Sequence, residues 1–309
     1  MRRLGYCCIN LSLKPENVST NRGMTKKTFL EKGMDYVSEL SLKNTIDLKK
    51  ILEWNGKNGI RMYRMSSDIF PWCSEYELKD LRDFEEIAWN LKQAGDISKT
   101  TDQRITFHPS PYGVLASENQ SVVTKAIKEI SQHAEIMDLM NLDRNRSYPI
   151  NIHVNTTKPS KEDSLQRFCE NYELLPEGAK KRLVVEIDDK KSQYNCLDLF
   201  NGVYQKINVP ITFDFLHNKC NPHPEYNEKQ ALELCLSTWQ KEGFTPITHF
   251  SDSRKIFEDN SAKELAHSDW VWSSIETYGL DFDIEFEVKM KDLALLKYIE
   301  GEKILSYGE

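Results

Sequence analysis

Phe282-Asp283-Ile284-Glu285-Phe286-Glu287-Val288 alternates apolar and acidic side chains along its whole length. A strand sends successive side chains to opposite faces, so the three acids share one face and the apolar residues the other. On a half-exposed sheet the acids would simply meet water. Five further apolar runs argue against that, because each also ends on a residue able to bind a metal. Arg104–Phe107 leads into His108, Pro149–Ile152 into His153, and Arg182–Val185 into Glu186. Pro210–Phe213 leads into Asp214, with His217 just beyond, and Pro246–Thr248 into His249. From His108 to Glu287 the successive gaps are 45, 33, 28, 35 and 38 residues. A strand–helix–strand crossover needs on the order of 30. Each ligand type therefore falls where a parallel strand ends, the face that carries chemistry in a barrel of such units. Helices cover the outside of a barrel, so the acids of 282–288 must point inward. Inward carboxylates are costly unless metal or another partner compensates them.

Adding Leu4–Cys8 and Ile60–Met65 gives eight expected strands, at 4–8, 60–65, 104–107, 149–152, 182–185, 210–213, 245–248 and 282–286. Helical periodicity separates them. A helix is expected over Tyr36–Trp54, and another where Leu78, Leu81, Phe84, Ala88 and Leu91 recur before Gly95. Val123, Ile127, Ile130, Ala134 and Met137 follow a capping box of Ser117 and Gln120. Leu165, Phe168 and Tyr172 follow Ser160, while Leu232, Cys235 and Trp239, then Leu293, Leu296 and Ile299, mark the last two. Leu11–Lys32 reads as a polar loop whose Arg22, Lys26 and Lys27 are a solvated charge run. The alternation predicts an α/β fold, a single (β/α)8 TIM barrel over residues 1–300 with a metal cluster at the C-terminal rim of its strands. Residues 301–309 are expected to be a short C-terminal tail.

The bulk properties agree. The chain has 309 residues, and about 250 suffice for such a barrel. Its seven cysteines, at 7, 8, 73, 169, 196, 220 and 235, form no Cys-x-x-Cys pair, which points to reduced thiols and an intracellular setting. The N-terminus lacks the continuous apolar core of a signal peptide, and no run approaches the roughly 20 apolar residues of a membrane helix. A soluble monomer is expected. The net charge of −7 speaks weakly against nucleic acid, because two or three divalent ions would add roughly +4 to +6 where substrate meets protein.

Of seven histidines, five (108, 153, 217, 249 and 267) fall at or just past strand ends or in a companion loop. A single strand-end histidine is as readily structural as ligating. Five interleaved with Glu186, Asp214 and Glu287 point to a cluster. His133, mid-helix, and His223, between prolines, read as bystanders. No phosphate-binding Gly-rich loop ending in Lys-Ser/Thr and no Gly-x-Ser-x-Gly elbow occurs.

The chain resembles the UV damage endonuclease family, relatives of endonuclease IV, over nearly its whole length. The resemblance rests on Gly5-Tyr6 with Asn10, Tyr63-Arg64-Met65-Ser66-Ser67-Asp68 with Pro71, and Phe107-His108-Pro109. It continues through Asn151-Ile152-His153, Glu186-Ile187-Asp188-Asp189-Lys190 and Phe213-Asp214-Phe215-Leu216-His217. It ends with His249-Phe250-Ser251, His267-Ser268-Asp269 and Glu287-Val288-Lys289. The resemblance implies up to three divalent ions, manganese first with magnesium or zinc as alternatives, and incision of damaged double-stranded DNA immediately 5′ of a lesion. Glu186, Asp214, His249 and Glu287 would hold a central ion and carry catalysis. His108 and His153 would hold a second with Glu186, and His217 and His267 would serve a third. Tyr6, Asn10, Arg64 and Tyr112 would meet DNA, the two tyrosines wedging where bases are already poorly stacked.

Three departures from the family pattern stand out. Ser74-Glu75 replaces a Ser-His, making Glu75 a substitute ligand that suits hard ions. Ile247 replaces a lysine, and Pro111 replaces the glutamine of the lesion-probing loop. Two rival readings remain, a sugar isomerase on the same barrel and a catalytically silent damage-binding protein. Ile247 weighs against the isomerase, which would need a lysine near its metals.

Overall fold

The computed structural model describes the backbone of residues 2–306 and the side chains of all of these but 242 and 302–306. Eight strands, β1 Leu4–Cys7, β2 Met62–Met65, β3 Arg104–Phe107, β4 Ile150–Ile152, β5 Leu183–Glu186, β6 Ile211–Asp214, β7 Ile247–Phe250 and β8 Asp283–Phe286, pair in parallel and in order. β8 closes on β1 with Gly5 beside Glu285 and Tyr6 beside Phe286. A Cβ on Gly5 would lie 2.5 Å from the Met62 carbonyl oxygen, so β1 approaches β2 this closely only as glycine.

The crossovers carry α1 Lys26–Lys57, α2 Phe84–Thr100, α3 Gln120–Leu139, and α4 Lys161–Tyr172 with the short α5 Glu177–Lys180. Then come α6 Cys196–Leu199 and α7 Gln205–Ile207, joined by a π-helical turn, followed by α8 Phe215–Cys220 and α9 Glu228–Ser237. Only α10 Arg254–Phe257 lies between β7 and β8, and α11 Lys291–Ser306 follows the barrel. The main apolar core lies between sheet and helices. A smaller one, of Met62, Val184, Ile247 and Trp239, fills inward positions at the barrel floor. Ile247 is thus part of an apolar floor two residues below His249, on the same strand face.

The acids of the 282–288 run do point inward, and arginine meets each of them. Asp283 meets Arg104 at 2.9 Å and accepts from the Arg3 amide. Glu285 accepts from Arg64 Nε at 2.6 Å and from the Thr106 hydroxyl at 2.7 Å. Arg64 extends to Glu287 as well, the only one of the three that reaches the rim.

Several local expectations are corrected. α1 is interrupted at Gly33, whose φ of +63° is not helical: a first stretch begins at Lys26, where Thr25 accepts from the Thr28 amide, and the expected Tyr36–Trp54 helix lies in the longer stretch beyond the kink. Arg22 is paired with Asp47 at 2.6 Å and not merely solvated. Leu78 lies in a separate 3-10 turn, since the backbone is extended at Leu81, and α2 starts at Phe84. Asn119, not Ser117, caps α3 by accepting from the Ser121 amide. α11 runs through residue 301 to Ser306, so the expected tail is helical that far; residues 307–309 lie outside the described part. No described helix is long and apolar enough to cross a membrane.

Candidate metal centre

Glu186 stands at the middle of the rim. It ends β5 on the inward face, fully buried, with Asn151 of β4 donating to its Oε2. His108 Nε2 lies 3.3 Å from that oxygen, His153 Nε2 3.6 Å and His249 Nδ1 3.0 Å, while His217 Nδ1 is 3.2 Å from Oε1. Two sets of three donors close enough to share an ion result: His108, His153 and Glu186, and Glu186, Asp214 and His249. Glu287 Oε1 approaches His249 Nδ1 at 3.2 Å, and the rings of His217 and His267 meet edge to face with centroids 6.2 Å apart.

Four histidines have a polar partner on Nδ1. Nδ1 of His108 lies 3.1 Å from the Pro109 carbonyl, that of His153 3.1 Å from Asp188, that of His217 2.9 Å from the Ile187 carbonyl, and that of His267 2.8 Å from the Ser251 hydroxyl. In His217 the same Nδ1 also faces Glu186 at 3.2 Å, whereas in His108 and His153 the partner on Nδ1 leaves Nε2 free to ligate. Metal-binding histidines are commonly oriented this way, by an outer carboxylate or carbonyl on the second nitrogen. Sequence reasoning missed Asp188, Ser251 and Asn151 in these roles, although all three sit inside the motifs quoted for the family resemblance.

The electrostatics are those of a compensated anionic cluster. Burial pushes the Glu186 carboxyl up, but His249, His153, His108 and His217 outweigh it and hold the pKa well below the usual range. Burial lowers that of His249, yet Glu186 and Glu287 carry it up to about 10 against the opposing pull of Arg64. Burial raises Asp214, with the charges of Glu186 and Glu287 adding to it despite His217. Asp214 Oδ1 accepts the His217 amide at 2.7 Å, while its buried Oδ2 has no hydrogen-bond partner among the described residues. An orphan carboxylate oxygen beside imidazoles fits a bound cation, and a donor set of nitrogen and oxygen without thiolate fits manganese, magnesium or zinc.

Three residues expected to meet DNA stand elsewhere. Tyr6 is fully buried on the outward face of β1, its hydroxyl donating to Asn55 and accepting from Asn10, both at 2.8 Å. Asn10 is buried too, its Oδ1 accepting the Leu13 amide in the turn after β1. Arg64 points into the barrel, where it pairs with Glu285 and Glu287 and lies 2.8 Å from His249 Nε2. Tyr112 is 86% exposed, as a DNA-facing residue must be. Glu75 is not brought to the cluster. It ends a 3-10 turn and pairs with Lys125 of α3 at 2.9 Å; nor does it cap α2, which starts nine residues later. His133 is a buried core histidine packed edge-on against Phe107.

Residues 2–308 match the sequence profile of a family described as UV-endonuclease UvdE. The chain is 31% identical over 300 residues to a putative UV-damage endonuclease of Acanthamoeba polyphaga mimivirus, covering 96% of this chain and 89% of that protein. The crystal structure of SacUVDE superposes with a TM-score of 0.84 and 29% identity, over 99% of both chains. Endonuclease IV from Thermus thermophilus shares the fold at a TM-score of 0.54 and 12% identity, over 98% of this chain and all of that one. By its length of match and its motifs, the chain belongs to the UV-endonuclease UvdE family.

Proposed function

We propose that this protein is a manganese-dependent repair endonuclease, acting as a monomer inside the cell. It incises damaged double-stranded DNA immediately 5′ of UV photoproducts, and of other helix-distorting or abasic lesions, leaving a 3′-hydroxyl. The observation that carries the reading is Glu186, one buried carboxylate faced by four imidazoles, two of which, His108 and His153, present Nε2 to it with Nδ1 held by another partner. Glu186, Asp214, His249 and Glu287 would hold the central ion, His108 and His153 a second with Glu186, and His217 and His267 a third. Divalent ions there would acidify water and neutralise charge on the attacking and leaving oxygens of an in-line displacement. The protein's own contribution is placement. Asn151 fixes one oxygen of Glu186, Asp188 fixes His153, and Arg64 neutralises the carboxylates beneath. Purified protein with manganese should nick UV-irradiated supercoiled DNA and spare undamaged DNA. Equal cutting of both would remove lesion specificity, and no cutting with any divalent ion would favour a silent binder or an isomerase.

The two tyrosines should behave oppositely. Tyr112→Ala is expected to weaken incision of irradiated DNA about tenfold or more, at unchanged stability, since losing one base-stacking aromatic costs about 1–3 kcal/mol. Tyr6→Phe should instead lower stability by about 1–3 kcal/mol, because Asn10 and Asn55 lose a buried partner, and leave incision intact. Thermal melts beside plasmid nicking separate the two; a Tyr6→Phe protein of normal stability that no longer finds lesions would restore the wedge role.

A further inference from the structure

Beside the metal residues lies an open cavity of about 630 Å³, walled by the loops that follow β5, β6 and β7, the three strands that carry Glu186, Asp214 and His249. Its apolar side is made by Leu216, Pro222 and Ile256, the last 74% exposed. Leu216 immediately precedes His217. Ser253, another wall residue, is bridged to His267. Three lysines stand around it, Lys191, Lys219 and Lys255, against one acid, Glu264. Lys255 is paired with Glu264 at 3.2 Å. Lys191 and Lys219 pair with no acid among the described residues.

In a chain of net charge −7, an excess of lysine in one open cavity is complementary to an anion from outside. A DNA strand crossing the metal centre supplies it, as its phosphates recur on either side of the one being cut. Exposed isoleucine in the same wall as the lysines suits the face of a base or a deoxyribose, and the cavity's place beside the metal residues favours the strand being cut over any other anion. We infer that this cavity is a subsite for the DNA strand flanking the scissile phosphate, with Lys191 and Lys219 each on a phosphate and Ile256 against the nucleoside between them. The inference rests on the nuclease reading above and adds where the strand lies.

The test is the salt dependence of binding to irradiated duplex, with manganese uptake measured on the same proteins. Each phosphate contact contributes about 0.9 to the slope of log affinity against log salt. Lys191→Ala/Lys219→Ala should therefore reduce the slope by about 2 and weaken binding to irradiated and plain duplex alike, as phosphate contacts carry no sequence or lesion information. Its manganese affinity should match wild type. Lys57→Ala/Lys181→Ala, at the opposite end of the barrel, should leave the slope unchanged. Ile256→Glu should weaken binding without altering manganese uptake. An unchanged slope in Lys191→Ala/Lys219→Ala, or an equal fall in the control pair, overturns the subsite while wild-type nicking upholds the nuclease. Loss of manganese uptake in the same variant also overturns it, since the lysines would then act through the metal centre. Wild-type protein that neither binds nor nicks irradiated DNA removes both readings.

Discussion

Replacing Glu186 with alanine is expected to abolish manganese-dependent nicking of irradiated DNA in a protein that still folds. Glu186 faces His108, His153, His217 and His249 at once, and both candidate ion sites among the described residues include it. Even outer partners of metal ligands cost about 10–100-fold when removed, so losing a carboxylate shared by two ions should exceed that. The metal-free protein should also be less stable. The folded-state pKa of Glu186 is depressed, so the carboxylate contributes stability above its unfolded pKa of about 4.3 and loses it as pH falls through the folded value. At neutral pH that contribution is fully present in wild type and absent in the variant. Glu186→Gln should lose the rate as completely while keeping more of the packing. Activity above roughly a tenth of wild type in either variant would sink the assignment, and so would an unchanged melting temperature without metal combined with undiminished manganese uptake.

What could be read from the sequence follows from what is local. The period of two in β8 and the crossover spacing from His108 to Glu287 depend only on residues close in the chain, and they located the last six strands to within about two residues. The identity of the cluster followed, because inward acids and strand-end histidines have few other uses. The error at Tyr6 is one of parity. In a parallel sheet, residues side by side share a face; Tyr6 stands beside Phe286, which faces outward, and Gly5 beside Glu285, which faces inward. Arg64 stands beside Cys7 on the inward side, where burial and its pairs with Glu285 and Glu287 hold it among the barrel's acids. The partners on histidine Nδ1 were not legible, since two of them are backbone carbonyls, of Pro109 and Ile187, which no residue type announces. Glu75 failed for a related reason. The 3-10 turn Cys73–Glu75, not the spacing from β2, decides where its side chain goes, and the turn delivers it to Lys125.

Arg64→Ala should cost more stability than any single substitution among the rim residues, and this separates its structural role from DNA contact. Its guanidinium is buried in the barrel between Glu285 and Glu287 and lies beside His249. Glu285 itself is 1% exposed and keeps only Thr106 and His249 once Arg64 is gone. Breaking a buried pair by deleting one partner costs about 3–5 kcal/mol, because the other charge stays behind uncompensated. For a chain of this size that lowers the melting temperature by roughly 5–8 °C. Lysine should not rescue it, since a single ammonium cannot spread over Glu285, Glu287 and His249 as the planar fork does. Two treatments should recover part of the loss by different routes. Arg64→Ala combined with Glu285→Gln removes the stranded charge outright. Added manganese should help only through the rim carboxylate Glu287 and leave the deeper Glu285 unrelieved. Calorimetric melts of the single and double variants, with and without manganese, measure each contribution. An Arg64→Ala protein that melts like wild type but binds DNA poorly would place this side chain on the surface after all, and with it the neutralisation of the barrel's inner acids would need another source.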